Sequence, residues 1–314
     1  MNIFEEQQAF LDNLEPIKRL SRDIKAGGKI LTFPEARFLV DAYYTMQDNR
    51  IRTAGQIRAL SGYDEPNSVI DWLFKQNMVL EKQVASALDM YSRTHPVGQW
   101  MRMHDGVGPV IAAGFLAHLD VTKVNSAGGF WKFAGLIPTI EWKKGEIRPW
   151  NAKLKVLCWK LGESFVKVSG KDTAFYAKEY LEKKAFYIEK NDKGEYQEAA
   201  LKKAEKVGKG TVAYKWYSGK QDGIPKLPPA HIHSMAKRHA VKMFLSHLFE
   251  IMYIAHHGKN PPEIYATAIL GHKDYIAPPF KEEFVEMMNG KTIDMKHPFF
   301  KVEKPDVEDE EDFF

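Results

Sequence analysis

The sequence predicts an all-α fold: a helical body with few or no strands, a helix-hairpin-helix element inside it, and an acidic, flexible C-terminal tail. Three observations carry that expectation. Apolar residues recur at three- and four-residue spacing through most of the chain. Helix starts are marked by capping residues and by proline in the first turn. Strand-type alternation is sparse, which argues against a β-barrel. The chain has 314 residues and is 44% hydrophobic, enough for one or two cored domains.

The elements follow in order. Thr32-Phe33-Pro34-Glu35 starts the first long helix, and Phe38, Leu39, Ala42 and Tyr43 recur on one face. Asn67-Ser68 starts a second, running to about Thr94 with a stripe of Ile70, Leu73, Phe74, Val84, Leu88 and Tyr91. His95-Pro96-Val97-Gly98 ends it. Short helices flank Gly106 and run through 109–119, 126–134 and 150–168. Residues 172–188 and 195–207 read as solvent-facing, Lys/Glu-rich helices, and 208–227 as a loop. Leu227-Pro228-Pro229 opens a long helix from about Ala230 to His256. Beyond Gly258, Pro261, Pro262, Pro278, Pro279, Pro298 and Pro305 break the chain into short pieces with room for one strand or hairpin. The expected organisation is an N-terminal helical region (1–97), a hairpin-containing core with basic helices (98–258), a Pro-rich extension (259–302) and the tail (303–314).

Charge is distributed unevenly. Residues 303–314 hold seven acidic side chains against Lys304, a net of −6, while the whole chain is +4, leaving +10 on the rest. A basic body suits a polyanion, and an acidic tail tipped by Phe313 and Phe314 suits a protein partner while competing for the same groove. A purely solvating tail is the plainer alternative. Cys158 is the only cysteine, so no intrachain disulfide or cysteine zinc cluster is expected. The N-terminus lacks a signal-peptide pattern, and no apolar run approaches the ~18 residues that span a bilayer. No membrane association is expected, and the compartment is read as reducing.

His104-Asp105-Gly106-Val107-Gly108-Pro109 is the sharpest local motif. Apolar-Gly-apolar-Gly before a helix lets the backbone turn tightly and bring free N–H groups close to a phosphate. Such a contact reads backbone, not sequence. A plain helix–helix turn is the alternative.

Lysines and aromatics interleave in two stretches. The first holds Lys132, Trp142, Lys143, Lys144, Arg148, Trp150, Lys153 and Lys155, with Trp131, Trp159 and Lys160 beside them. The second holds Lys209, Tyr214, Lys215, Trp216, Tyr217 and Lys220. Unpaired bases stack on aromatic rings while cations hold the phosphates. Trp159 and Phe133, at helical spacing, read instead as core. Lys237 and Arg238 on the long helix are expected to line a groove with the hairpin. Lys202, Lys203 and Lys206 fit a solvated face equally well. His231, His233, His256 and His257 lack the cysteine and carboxylate company of a metal site and read as surface or phosphate-contacting. No metal or other cofactor is expected.

The order G-V-G-P-x-x-A-A, an acidic turn at Asp120, F-W-K-F-A-G-L-I-P over 130–138 and a basic helix resembles the C-terminal part of insertion-sequence transposases with a helix-hairpin-helix, over about residues 100–168. Two of that family's features are missing. Residues 1–95 show no carboxylate-bearing ribonuclease-H-like domain, and 139–145 contain no serine where the family carries its catalytic one. The resemblance therefore implies DNA binding at Gly106, Val107 and Gly108 and no catalysis. The terminus Asp309-Glu310-Glu311-Asp312-Phe313-Phe314 resembles the tip of replicative single-stranded DNA-binding proteins. The combined layout resembles stand-alone phage and plasmid single-stranded DNA-binding proteins. The expectation is a non-enzymatic protein of a prokaryotic host's cytoplasm that holds single-stranded DNA and recruits a polymerase or helicase. The rivals are a recombination factor for duplex or branched DNA, with or without nuclease activity, and an RNA-binding or host-defence-inhibiting protein.

Overall fold

A computed structural model describes residues 21–60, 68–262, 275–293 and the backbone of 302–303. The expected tail contacts at Asp309–Phe314 lie outside these residues. The architecture is all-α, with one two-residue strand pair among the described residues.

Helices α1 (Ser21–Lys29), α2 (Phe33–Leu60) and α3 (Ser68–Thr94) pack together. A reciprocal cap starts α2. The Thr32 N–H and hydroxyl donate to the Glu35 carboxylate at 2.8 and 2.7 Å, and the Glu35 N–H returns to the Thr32 hydroxyl at 3.5 Å. Arg50 of α2 bridges to the buried Glu81 of α3 at 2.5 Å. Leu88 and Tyr91 are buried as their stripe predicts, but Phe38 and Leu73 are exposed. The inward positions of α2 include Ala36 and Val40 instead.

His95 does more than end α3. Its Nδ1 accepts the Val97 N–H at 3.1 Å and caps α4 (Pro96–Arg102). After the Gly106 turn comes α5 (Pro109–His118), apolar on every side and accordingly buried on every side. It packs against α2 and α3 and against α7 (Ala152–Lys167). Between them lie a 3-10 turn (Val121–Lys123) and α6 (Ala127–Phe133).

α8 (Phe175–Asp192) is not the solvated helix its Lys/Glu content suggests. Tyr176, Ala177 and Tyr180 are buried, and the helix packs on α11 (Pro229–His257). α9 (Gln197–Ala204) follows. The expected loop at 208–227 contains a further helix, α10 (Val212–Tyr217), started by Thr211, whose hydroxyl accepts the Tyr214 N–H at 3.2 Å. α11 is the spine of this half, touching α4, α6, α7, α8, α12 (Lys281–Met288) and β1 (Thr292–Ile293). Gly258, at φ 65°, ends it. β2 (Val302–Glu303) pairs antiparallel with β1.

One buried cluster runs from Ala36 and Val40 through Trp100 and Phe244 to Phe284 and Ile293. The core therefore crosses the boundaries expected at 97 and 258. Trp100 donates its indole N–H to the Pro279 carbonyl at 2.8 Å, tying the Pro-rich segment to α4. A smaller core of Ala200, Tyr217, Leu227 and Ile232 holds α9 and α10 on the start of α11. Among the described residues, no helix is long and apolar enough to cross a membrane.

Candidate nucleic-acid interface

The segment between α6 and α7 forms a closed loop. The Asn151 N–H donates to the Phe133 carbonyl at 2.9 Å, and Asn151 Oδ1 accepts the Leu154 N–H at 3.0 Å to cap α7. Gly135, at φ 65°, turns the chain and lets the Trp150 ring lie against it. Lys155 Nζ sits 4.1 Å from the Trp150 ring centroid. One turn further along α7, Trp159 is 58% exposed. Across from it on α11, Lys237 Nζ lies 5.8 Å from the Trp159 centroid, held by Glu163, with Arg238 adjacent.

These side chains line a cleft of about 310 Å³ between the loop, α7 and α11. Trp150, Trp159, Lys155, Arg238 and Lys237, the last largely covered and paired with Glu163, line it, and Cys158 lies against the core below. Burial raises the Cys158 thiol pKa well above its ordinary value, so it stays a neutral thiol. The cations crowd one another. Lys155 is pulled below the ordinary lysine value, first by burial and then by Arg238 and Arg148. Lys242, one turn beyond Arg238, is lowered by burial and then by Arg238, and its Nζ lies 4.1 Å over the Trp131 ring. Among the described residues neither Lys155 nor Arg238 has a carboxylate partner. Positive charges held together and partly desolvated are relieved by an anion.

The expected site residues separate into groups. Trp150 and Lys155, close in sequence, meet Lys237 and Arg238 of the distant α11 in the cleft. Trp142, Lys143, Lys144 and Arg148 form a projecting turn just before Trp150. Lys132 is exposed on α6. Lys153 turns toward α2 and pairs with Asp41. Lys215 is exposed and Trp216 half-buried on α10, where Lys220 lies 5.4 Å over Tyr214. Tyr217 is not available as a stacking platform: it is buried in the smaller core, its hydroxyl 2.9 Å from His231 Nδ1.

Trp159 is the residue that spacing misassigns. Its helical register suggested core, and it faces the cleft. Phe133, also read as core, is 41% exposed. The available signal was Lys155 four residues before Trp159 and Lys160 directly after it.

The three residues of the expected hairpin are placed differently from one another. Gly106 has φ 88°, and a Cβ there would meet Phe165 and Val168 of α7 and its following turn at 3.1 and 3.3 Å. The Ser164 hydroxyl donates to the Gly106 carbonyl at 2.6 Å. Gly106 therefore serves the contact with α7. Val107 is buried, so its side chain cannot touch a ligand, and its carbonyl accepts from Arg102 at 2.8 Å. Gly108 alone has open space where a Cβ would stand. Asp105, beside the turn, pairs with Lys171 at 2.7 Å and Thr173 at 2.5 Å.

Several α11 histidines are held by hydrogen bonds within the fold, while His257 is exposed. His233 Nδ1 lies 2.8 Å from the Tyr180 hydroxyl, and His256 Nδ1 lies 3.0 Å from the Ile293 carbonyl. His247 uses both nitrogens: Nε2 donates to the Ile276 carbonyl at 3.0 Å and Nδ1 accepts from the Tyr176 hydroxyl at 2.9 Å. Among the described residues no three of His, Cys, Asp and Glu come together as a metal-binding group. No protein-family model, curated protein or solved structure matches this chain.

Proposed function

We propose that the chain is a sequence-independent single-stranded DNA-binding protein, with the Trp150–Trp159 cleft as its principal contact. One observation supports this above the others: two partly exposed tryptophans and the cations Lys155 and Arg238 converge from the 135–150 loop, α7 and α11, with the Glu163-paired Lys237 beside them. Rings available for stacking favour strands whose base faces are free, since a duplex hides them. The cations hold phosphates without reading bases. Phage or mobile-element replication is the setting the tail suggests, with the acidic, Phe-ending terminus recruiting a polymerase or helicase. No catalytic step belongs to this reading.

Fluorescence anisotropy with labelled mixed-sequence single strands, duplexes of equal length and RNA tests it. Single-stranded DNA should bind most tightly, with a log–log salt slope of about −0.7 per neutralised phosphate. Equal affinity for duplex would shift the assignment to a recombination factor, and tighter RNA binding to an RNA-binding protein. For the tail, ending the chain after Glu303 keeps the β1–β2 pair. It should strengthen single-strand binding at low salt and abolish stimulation of the partner enzyme. Unchanged affinity with partner stimulation intact would reduce the tail to a solubility device.

A further inference from the structure

The loop between α6 and α7 ends in a braced tip. The Glu146 N–H donates to the Lys143 carbonyl at 3.1 Å, and the Lys143 N–H donates to the Glu146 carboxylate at 3.2 Å. Gly145, at φ 100°, permits the turn. The Trp142 indole N–H donates to the Glu146 carbonyl at 2.7 Å, and the Arg148 guanidinium lies 4.8 Å over the Trp142 ring. The tip is thus fixed by its own contacts and does not depend on the body for its shape.

What this tip presents is Ile147, which is 96% exposed. A lone exposed apolar side chain is ordinary. This one is held at a hydrogen-bonded turn between Glu146 and Arg148, with Lys143 and Lys144 in the same turn, and it stands three residues before Trp150 in the cleft. Arg148 also acts on Lys155, so the tip and the cleft share one electrostatic field. An apolar point beside three cations and one carboxylate, the latter engaged by the Lys143 N–H, matches a base step flanked by phosphates. It matches an apolar protein surface poorly, because three cations would have to be desolvated beside it.

We propose that residues 142–148 form a wedge that engages the junction where a single strand leaving the cleft meets duplex. Ile147 packs on the terminal base pair and unstacks it, while Lys143, Lys144 and Arg148 hold phosphates on either side. Apolar side chains inserted at base steps act in this way elsewhere in nucleic-acid recognition. The substrate class is then a single-strand/duplex junction rather than a bare single strand. This rests on the cleft binding a single strand.

The test uses the full chain, a forked DNA with 2-aminopurine in the terminal pair of its duplex arm, and a single strand equal in length to the fork's free arm. The wild-type protein should bind the fork at least about fivefold more tightly than the single strand, and 2-aminopurine fluorescence should rise on binding. Ile147→Ser should lose both the preference and the rise while keeping its single-strand affinity. Because Ile147 is exposed, the variant should fold. Intact single-strand binding without fork preference, or an Ile147→Ser variant that keeps both signals, overturns the wedge alone. A sedimentation change in Ile147→Ser, from dimer to monomer, would overturn it in favour of self-association. Failure of the wild type to bind any single strand removes the cleft reading itself.

Discussion

The Trp150 ring lies so close to Gly135 that a Cβ on that glycine would stand 2.7 Å from the ring's Cγ. Gly135 also has φ 65°, where an L side chain is strained. Gly135→Ala should therefore push Trp150 out of position and cost roughly 1 kcal/mol in backbone strain. Single-strand affinity should fall nearly as far as in Trp150→Ala, with a shifted tryptophan emission spectrum. Wild-type affinity in Gly135→Ala would show that the ring's placement does not matter for binding.

Trp159 allows a cleaner separation of binding from folding. It is mostly exposed, so Trp159→Ala opens no buried cavity and should leave the melting temperature within a degree or two of wild type. Loss of one stacking platform should weaken single-strand binding by about 1–3 kcal/mol. Titration of the variant with a single-stranded oligonucleotide, beside a thermal melt, decides the matter. A destabilised protein with unchanged affinity would return Trp159 to the core role its spacing suggests.

The hairpin makes opposite predictions for neighbouring residues. Gly108 has φ −79° and open space at its Cβ, so Gly108→Val should fold normally. If the start of α5 holds a phosphate, that variant loses affinity equally for all sequences. Val107→Asp instead buries a charge in the core and should destabilise the protein by several kcal/mol. Unaltered DNA affinity in a well-folded Gly108→Val would make the turn purely structural.

Acid should unfold this protein through its buried histidines. Burial holds the pKa of His95 and His104 at about 3 and that of His247 at about 4. In the unfolded chain they titrate near 6.5. The unfolded state therefore binds more protons over the interval between. Their contribution to stability is complete above pH 6.5 and declines as pH falls toward 4 and then 3. The slope is about 1.4 kcal/mol per pH unit for each histidine. Urea melts between pH 7.5 and 4.5 should show the fall, and His104→Leu should flatten it by one proton. A level stability profile across that range would contradict the neutral, buried state of these rings.

Much of the fold was legible because local signals agree with the final packing. The Thr32–Glu35 cap, Gly258 and the Pro228-Pro229 start each act within a few residues. What spacing could not supply is the identity of the covering element. Phe38 and Leu73 share a helical period with buried neighbours, yet no partner helix lies over them among the described residues. α8 looked solvated because lysines and glutamates dominate its composition. Its Tyr176 and Tyr180 find histidines on α11, more than fifty residues away in sequence. The candidate site follows the same logic. Interleaved Trp and Lys are visible in both stretches, but only the approach of α11 to α7 distinguishes Trp159 from Tyr217. The first is left at the rim of the cleft and the second is enclosed beneath α11's first turns.

α11 finally sets a length. Its 29 residues make a rod of about 44 Å, with about 28 Å of axis between Lys237 and His256. β1 docks at the His256 end, and β2, which pairs with β1, finishes at Glu303. The eleven residues from Lys304 to Phe314 can extend by about 38 Å at most. If the tail competes for the cleft as proposed, it must use roughly three quarters of that reach to span the helix axis between them. The length of α11 thus fixes how far from the cleft the chain beyond β2 begins.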